Sequence, residues 1–391
     1  MLPIGRTPHI LNVGSNNNYP FKHMKYLLIL GLLFCIGCKK EKTEIINDSP
    51  KTTFVKTKIK PTKIDSLATK EEVQVFVQKL DYPFVRYREH NDSIRIHKPL
   101  GKFELKKIKD FDRSHRNDID SLTKIIADSL KITESFYKAD IDNNGFSDLV
   151  IIGDDKGCSG GSLKPNSTRS CDYSVYALMN FGNDSINPID LMRRGSVGDA
   201  VIPKIKDIKG WTTLMIFEPP QYSWRDKKKI SDLKKIELAY KNGTFVEYNE
   251  NPKKYSIEKI EYETEPCYGS CPIFELTIGN NRTASLNAIE FNSLEPNLWE
   301  YEISRELKGK FKTIIDKESY QEIIDLLNYL NFPSLEENYW VSATDNPGSK
   351  LTITYDQGKI KVISDYGKTG TLGLIKIYDM IANLRTSQEW K

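Results

Sequence analysis

The chain has 391 residues, of which 39% are hydrophobic and 28% are charged, and this length suits two domains of ordinary size. Its 57 basic and 53 acidic residues give a formal charge of +4, with both signs mixed along the chain. Because nucleic-acid binding needs a concentrated basic face, the sequence argues against nucleic acid as a partner.

The N-terminal region carries a targeting pattern. Lys22 and Lys25 flank Met24. They precede an apolar run of eleven residues, Leu27–Gly37, which stops at Cys38. Since a helix needs about 20 apolar residues to cross the hydrocarbon core, the run predicts a cleaved signal rather than a transmembrane span. We expect residues 24–37 to be the signal peptide and residues 1–23 to be an upstream extension that is not native.

The residues around Cys38 resemble a bacterial lipobox, with the small Gly37 directly before the cysteine. The resemblance implies that Cys38 is acylated and anchors the mature chain to a membrane. Lys39 stands where some lipoproteins carry an inner-membrane retention signal, so we expect attachment to the outer membrane, facing the periplasm or the exterior. The alternative is an ordinary secretory signal in which Cys38 is incidental.

Four further cysteines follow, Cys158, Cys171, Cys267 and Cys271. An even number in an oxidising compartment predicts disulfides, and we expect Cys158 to pair with Cys171 and Cys267 with Cys271 because the pairs lie in different predicted domains. Zinc is the alternative. Only Cys267 and Cys271 approach the spacing of zinc-binding cysteines, and no histidine accompanies them.

Residues 38–67 follow the signal and are rich in Lys, Thr, Glu and Pro, which predicts a flexible tether after the lipidated cysteine. The first domain is predicted over residues 68–250. Thr69 and Glu72 form a capping box before a helical apolar pattern, and a second helix is predicted over Asp118–Leu130. Short apolar runs predict strands at 136–139, 149–152, 173–181, 211–217 and 236–240.

The second domain is predicted over residues 255–391. Helices are predicted over Tyr320–Leu330 and around residues 374–381. Strands are predicted at 257–262, 273–278, 285–289, 351–355 and 359–364, the last two joined by the turn Asp356-Gln357-Gly358. The pattern predicts an α+β class with two domains, each an antiparallel sheet with a few packed helices.

The segment Asp140–Asp148 reads DIDNNGFSD and carries the sharpest chemical signal. Oxygen-bearing side chains at positions 1, 3, 5 and 9, with glycine at 6, can wrap one calcium ion. The segment resembles the Asp-rich loops of FG-GAP and integrin-type propeller repeats. The resemblance implies these ligands: Asp140, Asp142, Asn144, the backbone carbonyl of Phe146, and Asp148. A single copy does not predict a propeller. The alternative is an Asx-rich hairpin turn without metal.

Two motifs resemble catalytic segments incompletely. Residues 157–161 match G-x-S-x-G, but the polar residues after Ser159 include Pro165 rather than beginning a helix. Residues 269–271 resemble a papain-like cysteine segment, yet no histidine follows His115. The sequence therefore presents no catalytic residues.

Residues 266–272 read PCYGSCP. They resemble the C-[FY]-G-x-C-P signature of a small domain of unknown function in lipoproteins of Bacteroidota-type bacteria, over about residues 255–391. That family implies no reaction, substrate or cofactor. We therefore expect a membrane-anchored envelope lipoprotein that binds an envelope protein or a glycan without catalysis. The alternative is an extracytoplasmic, calcium-assisted hydrolase using carboxylates such as Asp154 and Asp155.

Overall fold

The computed structural model describes residues 58–80, 85–88, 94–97, 100–111, 119–154, 173–192, 200–208, 211–220, 222, 228–229, 231–292, 298–299, 306–341 and 344–391. The predicted signal segment, Cys38, Cys158, Cys171 and Asp155 lie outside these residues. Among the described residues, no helix has the length and apolar character that crossing a membrane requires.

The helices are α1 (Lys63–Ser66), α2 (Lys70–Lys79), α3 (Ser121–Ser129), α4 (Lys317–Tyr329) and α5 (Leu372–Ser387). The strands are β1 (Val85–Arg88), β2 (Ile94–His97), β3 (Glu104–Leu105), β4 (Phe136–Ala139), β5 (Asp148–Asp154), β6 (Tyr173–Asn180), β7 (Ile186–Asp190), β8 (Ile202–Ile208), β9 (Trp211–Glu218), β10 (Lys234–Lys241), β11 (Thr244–Glu247), β12 (Ile257–Thr264), β13 (Ile273–Gly279), β14 (Thr283–Glu290), β15 (Leu298–Trp299), β16 (Gly309–Ile314), β17 (Asn338–Trp340), β18 (Gly348–Tyr355) and β19 (Lys359–Tyr366).

These strands form mainly antiparallel sheets, which confirms the predicted α+β class. Strands β3, β5, β6 and β7 are neighbours in one sheet, and β4 also pairs with β5. A second sheet has the order β11-β10-β9-β8, and a seven-stranded sheet has the order β16-β14-β13-β12-β18-β19-β17. Strand β1 pairs with β2 and with β15.

Every residue of β5 and β6 is buried, because both faces of these strands are covered. Side chains alternate between the two faces of a strand, so the two strands contribute to two separate cores. One core packs them against α1 and α2 through Leu149, Ile151, Tyr176 and Leu178. The other packs them against the sheet β8–β11 through Val150, Ile152, Val175 and Ala177. The Asp-rich loop enters β5, so it is fixed by the most buried strand pair.

The N-terminal helices begin at side-chain caps. Thr69 and Glu72 form the predicted capping box at the start of α2. A second capping box, between Thr62 and Asp65, starts α1 inside the region predicted as tether. There Ile64 and Leu67 are buried in the core, so the packed part of the chain begins before residue 68. The composition of the predicted tether does not reveal this packing, because Ile64 and Leu67 are only two residues in a mostly polar segment.

Helix α3 is shorter than the predicted Asp118–Leu130. Asp120 is its N-cap, and the side chain accepts a hydrogen bond from the backbone N–H of Thr123 at 2.7 Å. An N-cap residue has non-helical backbone angles, so the helix begins one residue after it.

Helices α4 and α5 cover one face of the seven-stranded sheet. Ile323 and Leu327 of α4, with Leu374 and Ile377 of α5, are buried in the core of this part. The predicted turn between β18 and β19 is present, and Asp356, Gln357 and Gly358 all have positive φ. Strand β11 contacts this part as well, since Val246 belongs to the same core. The division into two domains at residues 250–255 stays a prediction.

Candidate metal site

The Asp-rich loop closes the hairpin between β4 and β5. Ala139 pairs with Asp148, so Asp140 leaves β4 where Asp148 enters β5. The backbone reverses through Asn143 and Gly145, whose φ angles are 60° and 89°. Glycine adopts such angles without strain, which explains its place at the sixth position of the loop. The hairpin register therefore brings the first and last aspartates of the motif together.

Asp140, Asp142 and Asp148 each offer a carboxylate oxygen, and these three atoms all lie within 4.8 Å of one another. Asp148 is fully buried, Asp140 is 9% exposed, and Asp142 is half-buried. This is a group of acids that can hold a metal ion. Among the described residues, none of the ion pairs involves these three aspartates.

Among the described residues, one carboxylate oxygen of the three aspartates is buried without a hydrogen-bond partner. Asp148 accepts from the backbone N–H groups of Ile141 and Asn180, at 2.7 and 2.8 Å, one on each oxygen. Oδ2 of Asp140 accepts from the N–H of Gly145 at 2.9 Å. Oδ1 of Asp140 is buried and has no hydrogen-bond partner among the described residues. A buried carboxylate oxygen without a partner is costly, and a bound cation removes that cost.

Asn144 and Phe146, the other two predicted ligands, take part in local turns. Oδ1 of Asn144 accepts from the N–H of Phe146 at 2.8 Å, and its amide group donates to Asp142 at 3.0 Å. The N–H of Asn144 donates to Asp142 at 3.2 Å. The Asx-turn alternative therefore describes real hydrogen bonds of this loop. A carboxylate or amide oxygen has two lone pairs, so one turn hydrogen bond leaves room for a metal.

Burial raises the pKa of two of the aspartates. The pKa of Asp148 rises to about 8, because desolvation outweighs its two backbone hydrogen bonds, and the charges of Asp142 and Asp140 raise it further. The pKa of Asp142 rises to about 6, again through burial first and then through Asp140. Like charges that share a buried site oppose each other's ionisation, and a cation between them favours it.

The contribution of Asn180 was not foreseen from the sequence. Besides its N–H bond to Asp148, its carbonyl accepts from the side chain of Asn144 at 2.9 Å. Its own amide group donates to the carbonyl of Ser147 at 3.0 Å and to Oγ1 of Thr62 at 3.1 Å. Asn180 ends β6 and lies beside the loop because β6 pairs with β5. No local spacing in the sequence indicates this contact.

The predicted disulfide between Cys267 and Cys271 is present, with the two Cα atoms 5.7 Å apart. It closes a small ring between β12 and β13. Gly269 inside the ring has a φ of 140°, and the neighbouring Tyr268 is 89% exposed. The N–H of Tyr268 donates to the carbonyl of Asp345 at 3.2 Å, so the ring contacts the segment before β18.

Asp154, the carboxylate of the hydrolase alternative, does not join the aspartate group. It lies six residues beyond Asp148 in the same strand, about 20 Å away at the rise of an extended chain. It is fully buried at the other end of β5, where the strand register places it opposite Glu104 of β3. The structure therefore does not place Asp154 beside the Asp-rich loop.

Comparison with known proteins adds one family. Residues 258–385 match the family model described as Domain of unknown function (DUF6438). No curated protein matches the chain, and no solved structure matches it. The C-terminal part of the chain is thus similar to a domain of unknown function, and the Asp-rich loop lies outside the matched residues.

Proposed function

We propose that the protein is an extracytoplasmic lipoprotein, anchored through Cys38, which binds one calcium ion at Asp140, Asp142 and Asp148 and acts as a binding module without catalysis. The observation that carries the metal site is Oδ1 of Asp140, which is buried within a group of three carboxylates and has no hydrogen-bond partner in the described part of the chain. The lipobox resemblance carries the anchor.

Calcium suits these ligands better than other divalent ions. The group contains only oxygen donors, which are the ligands of hard cations, and neither histidine nor cysteine. Asn144 and the carbonyl of Phe146 would add further oxygens. Magnesium demands six ligands in a near-ideal octahedron, whereas calcium accepts an irregular set of six to eight. Sites of this charge outside the cytoplasm have dissociation constants on the order of 10⁻⁴ to 10⁻³ M.

The metal would act on the conformation of the hairpin. It would neutralise three carboxylates that join β4, β5 and, through Asn180, the end of β6. The surfaces of the surrounding sheets and of the C-terminal domain would then bind an envelope protein or a glycan.

Thermal unfolding tests the metal site. The mature chain is measured with excess EDTA, with millimolar CaCl₂ and with millimolar MgCl₂. We expect calcium to raise the melting temperature, because a ligand that binds only the folded state stabilises it. Asp140→Asn should remove that shift, and Asp128→Asn, at an exposed position on α3, should keep it. A calcium shift that survives in Asp140→Asn would exclude this site.

Acylation tests the anchor separately. Bacteria that express the full chain are fed an alkyne analogue of palmitate, and the label is read on the purified protein. The wild type should carry the label and Cys38→Ser should not. Equal labelling of the two proteins would exclude Cys38 as the acylated residue.

A further inference from the structure

A cavity of about 430 Å³ lies next to the Asp-rich loop. Its walls come from three parts of the chain: the segment at α1, the last turn of α2, and the turn between β6 and β7. Phe146 of the Asp-rich loop completes the wall. The volume falls within the range of small-molecule sites, which is about 300 to 1,000 Å³.

The lining combines an apolar surface with a cationic rim. Its apolar lining residues are Phe76 of α2, Leu80 directly after α2, Phe146 and Ile186. Lys63 and Lys79 contribute two positive charges to the lining. The Lys63 ammonium lies 5.7 Å from the centre of the Phe76 ring, so a cation stands directly at the apolar wall.

The charge of the lining favours an anion. Asp184 is the one acidic residue among the described residues that line the cavity, against two lysines. The Lys60 ammonium adds a third positive charge close by, 5.1 Å from the centre of the Phe146 ring.

Contacts within the protein hold the wall at Phe146 in place. Gly182 lies so close to the ring that a Cβ at this glycine would stand 2.6 Å from Cζ of Phe146. The segment before α1 contacts the Asp-rich loop, since the N–H of Lys60 donates to the carbonyl of Gly145 at 2.8 Å. Oγ1 of Thr62 accepts from Asn180 at 3.1 Å. A preformed wall lowers the cost of ordering a site when a ligand binds.

We propose that this cavity binds a small amphipathic organic anion. Its ring or short apolar chain lies against Phe76, Leu80, Phe146 and Ile186, and its single anionic group lies between Lys63 and Lys79. Removal of the apolar body from water favours binding. The anionic group pairs with the two lysines, whose charge Asp184 balances only in part. This site does not require the metal, although Phe146 belongs to both.

Two fluorescent probes with one ring system test the proposal. 1-Anilinonaphthalene-8-sulfonate carries one negative charge, and N-phenyl-1-naphthylamine is its uncharged counterpart. Each is titrated into the folded mature chain in EDTA and again in CaCl₂. We expect saturable binding of the sulfonate at one site per chain, at least tenfold tighter than binding of the neutral probe.

Variants locate the binding. Lys63→Gln with Lys79→Gln should weaken sulfonate binding at least tenfold and leave the neutral probe unchanged. Lys131→Gln with Lys253→Gln, two exposed lysines outside the cavity lining, should change neither probe. Ile186→Trp should fill the cavity and abolish both.

The proposal is overturned if the Lys63 and Lys79 variant binds the sulfonate as tightly as the wild type, or if the two probes bind equally. If Ile186→Trp does not fold by circular dichroism, the lysine variants decide alone, because both side chains are exposed. An equal result in EDTA and CaCl₂ supports a site independent of the metal. A failure of calcium binding with intact probe binding would overturn the proposed metal site alone.

Discussion

Glu247 accepts a hydrogen bond from the backbone N–H of Gly373 at 2.9 Å. Its other carboxylate oxygen accepts from the N–H of Leu372 at 2.6 Å. These are the first two residues of α5, and the third, Leu374, donates to Oγ1 of Thr371 at 3.1 Å. One carboxylate on β11 therefore caps a helix 125 positions later in the chain. The negative charge also lies at the end of the helix dipole that favours it.

Replacing this carboxylate should destabilise the fold. Glu247→Ala removes two acceptors from partly buried N–H groups, and we expect the free energy of unfolding to fall by about 2 kcal/mol in urea denaturation. Glu322→Ala, at an exposed position of α4, is the matched control and should change it by less than about 0.5 kcal/mol. Equal losses in the two variants would contradict a capping role for Glu247.

Gly373 also allows α5 to approach the end of α4. A Cβ at this position would overlap Cδ2 of Leu330, whose side chain is only 8% exposed. Gly373→Ala should therefore cost about 1–3 kcal/mol through overpacking, although alanine favours a helix by about 1 kcal/mol over glycine. In a Leu330→Ala background the same change should be neutral or stabilising, as measured by urea denaturation. The same cost in both backgrounds would show that this contact is not the cause.

Periodicity predicted the longer elements that bury one face, such as α2 and α4, and it did not predict α1 or β8. The predicted helix Tyr320–Leu330 is present as Lys317–Tyr329, and its true start depends on the N-cap Asp316. Strand β16 was not predicted because it has no buried residue: it is an edge strand in which half-buried and exposed residues alternate. Phe311 is the one large apolar side chain on its half-buried face, so the strand shows no apolar alternation.

The sequence predicted only those contacts of the site that lie within the Asp140–Asp148 motif. The motif Asp140–Asp148 predicted that its carboxylates converge, because a short hairpin loop brings its own ends together. The bond from Asn180 to Asp148 depends on the register between β5 and β6, in which Leu149 pairs with Leu178. The cavity likewise depends on α2 meeting the β6–β7 turn. Such contacts between distant segments leave no periodic signal in the sequence.

Without metal, stability should fall as pH rises from 5 to 8. Burial raises the pKa of Asp148 to about 8 in the folded chain, above its ordinary value of 3.8. Between these values the folded state binds more protons than the unfolded state, so its stability is greatest at the acidic end and is lost as pH approaches 8. The measurement is the melting temperature in EDTA at several pH values.

Asp148→Asn should make this pH dependence shallower, because asparagine does not titrate. Calcium should also make it shallower, since a cation favours the ionised carboxylates. A melting temperature in EDTA that rises between pH 5 and 8, or that falls equally in the variant, would contradict the assignment to Asp148.

The disulfide between Cys267 and Cys271 should contribute less than one that closes a long loop. In the chain-entropy treatment a ring of five residues stabilises the fold by about 2 kcal/mol, because it constrains the unfolded chain only slightly. Replacing both cysteines with serine should lower the free energy of unfolding by about that amount while the circular dichroism spectrum stays unchanged.

Hydrogen bonds explain why the fold should survive that loss. The N–H of Glu265 donates to the carbonyl of Gly348 at 2.9 Å, and Thr264 donates through Oγ1 to the carbonyl of Pro272 at 2.8 Å. Thr264→Val therefore serves as a comparison that removes the side-chain bond and keeps the disulfide. If the serine variant were unfolded, the ring rather than these bonds would fix the turn between β12 and β13. If its stability were unchanged, the bonds at Thr264 and Glu265 would already hold the turn, and the disulfide would add nothing to the folded state.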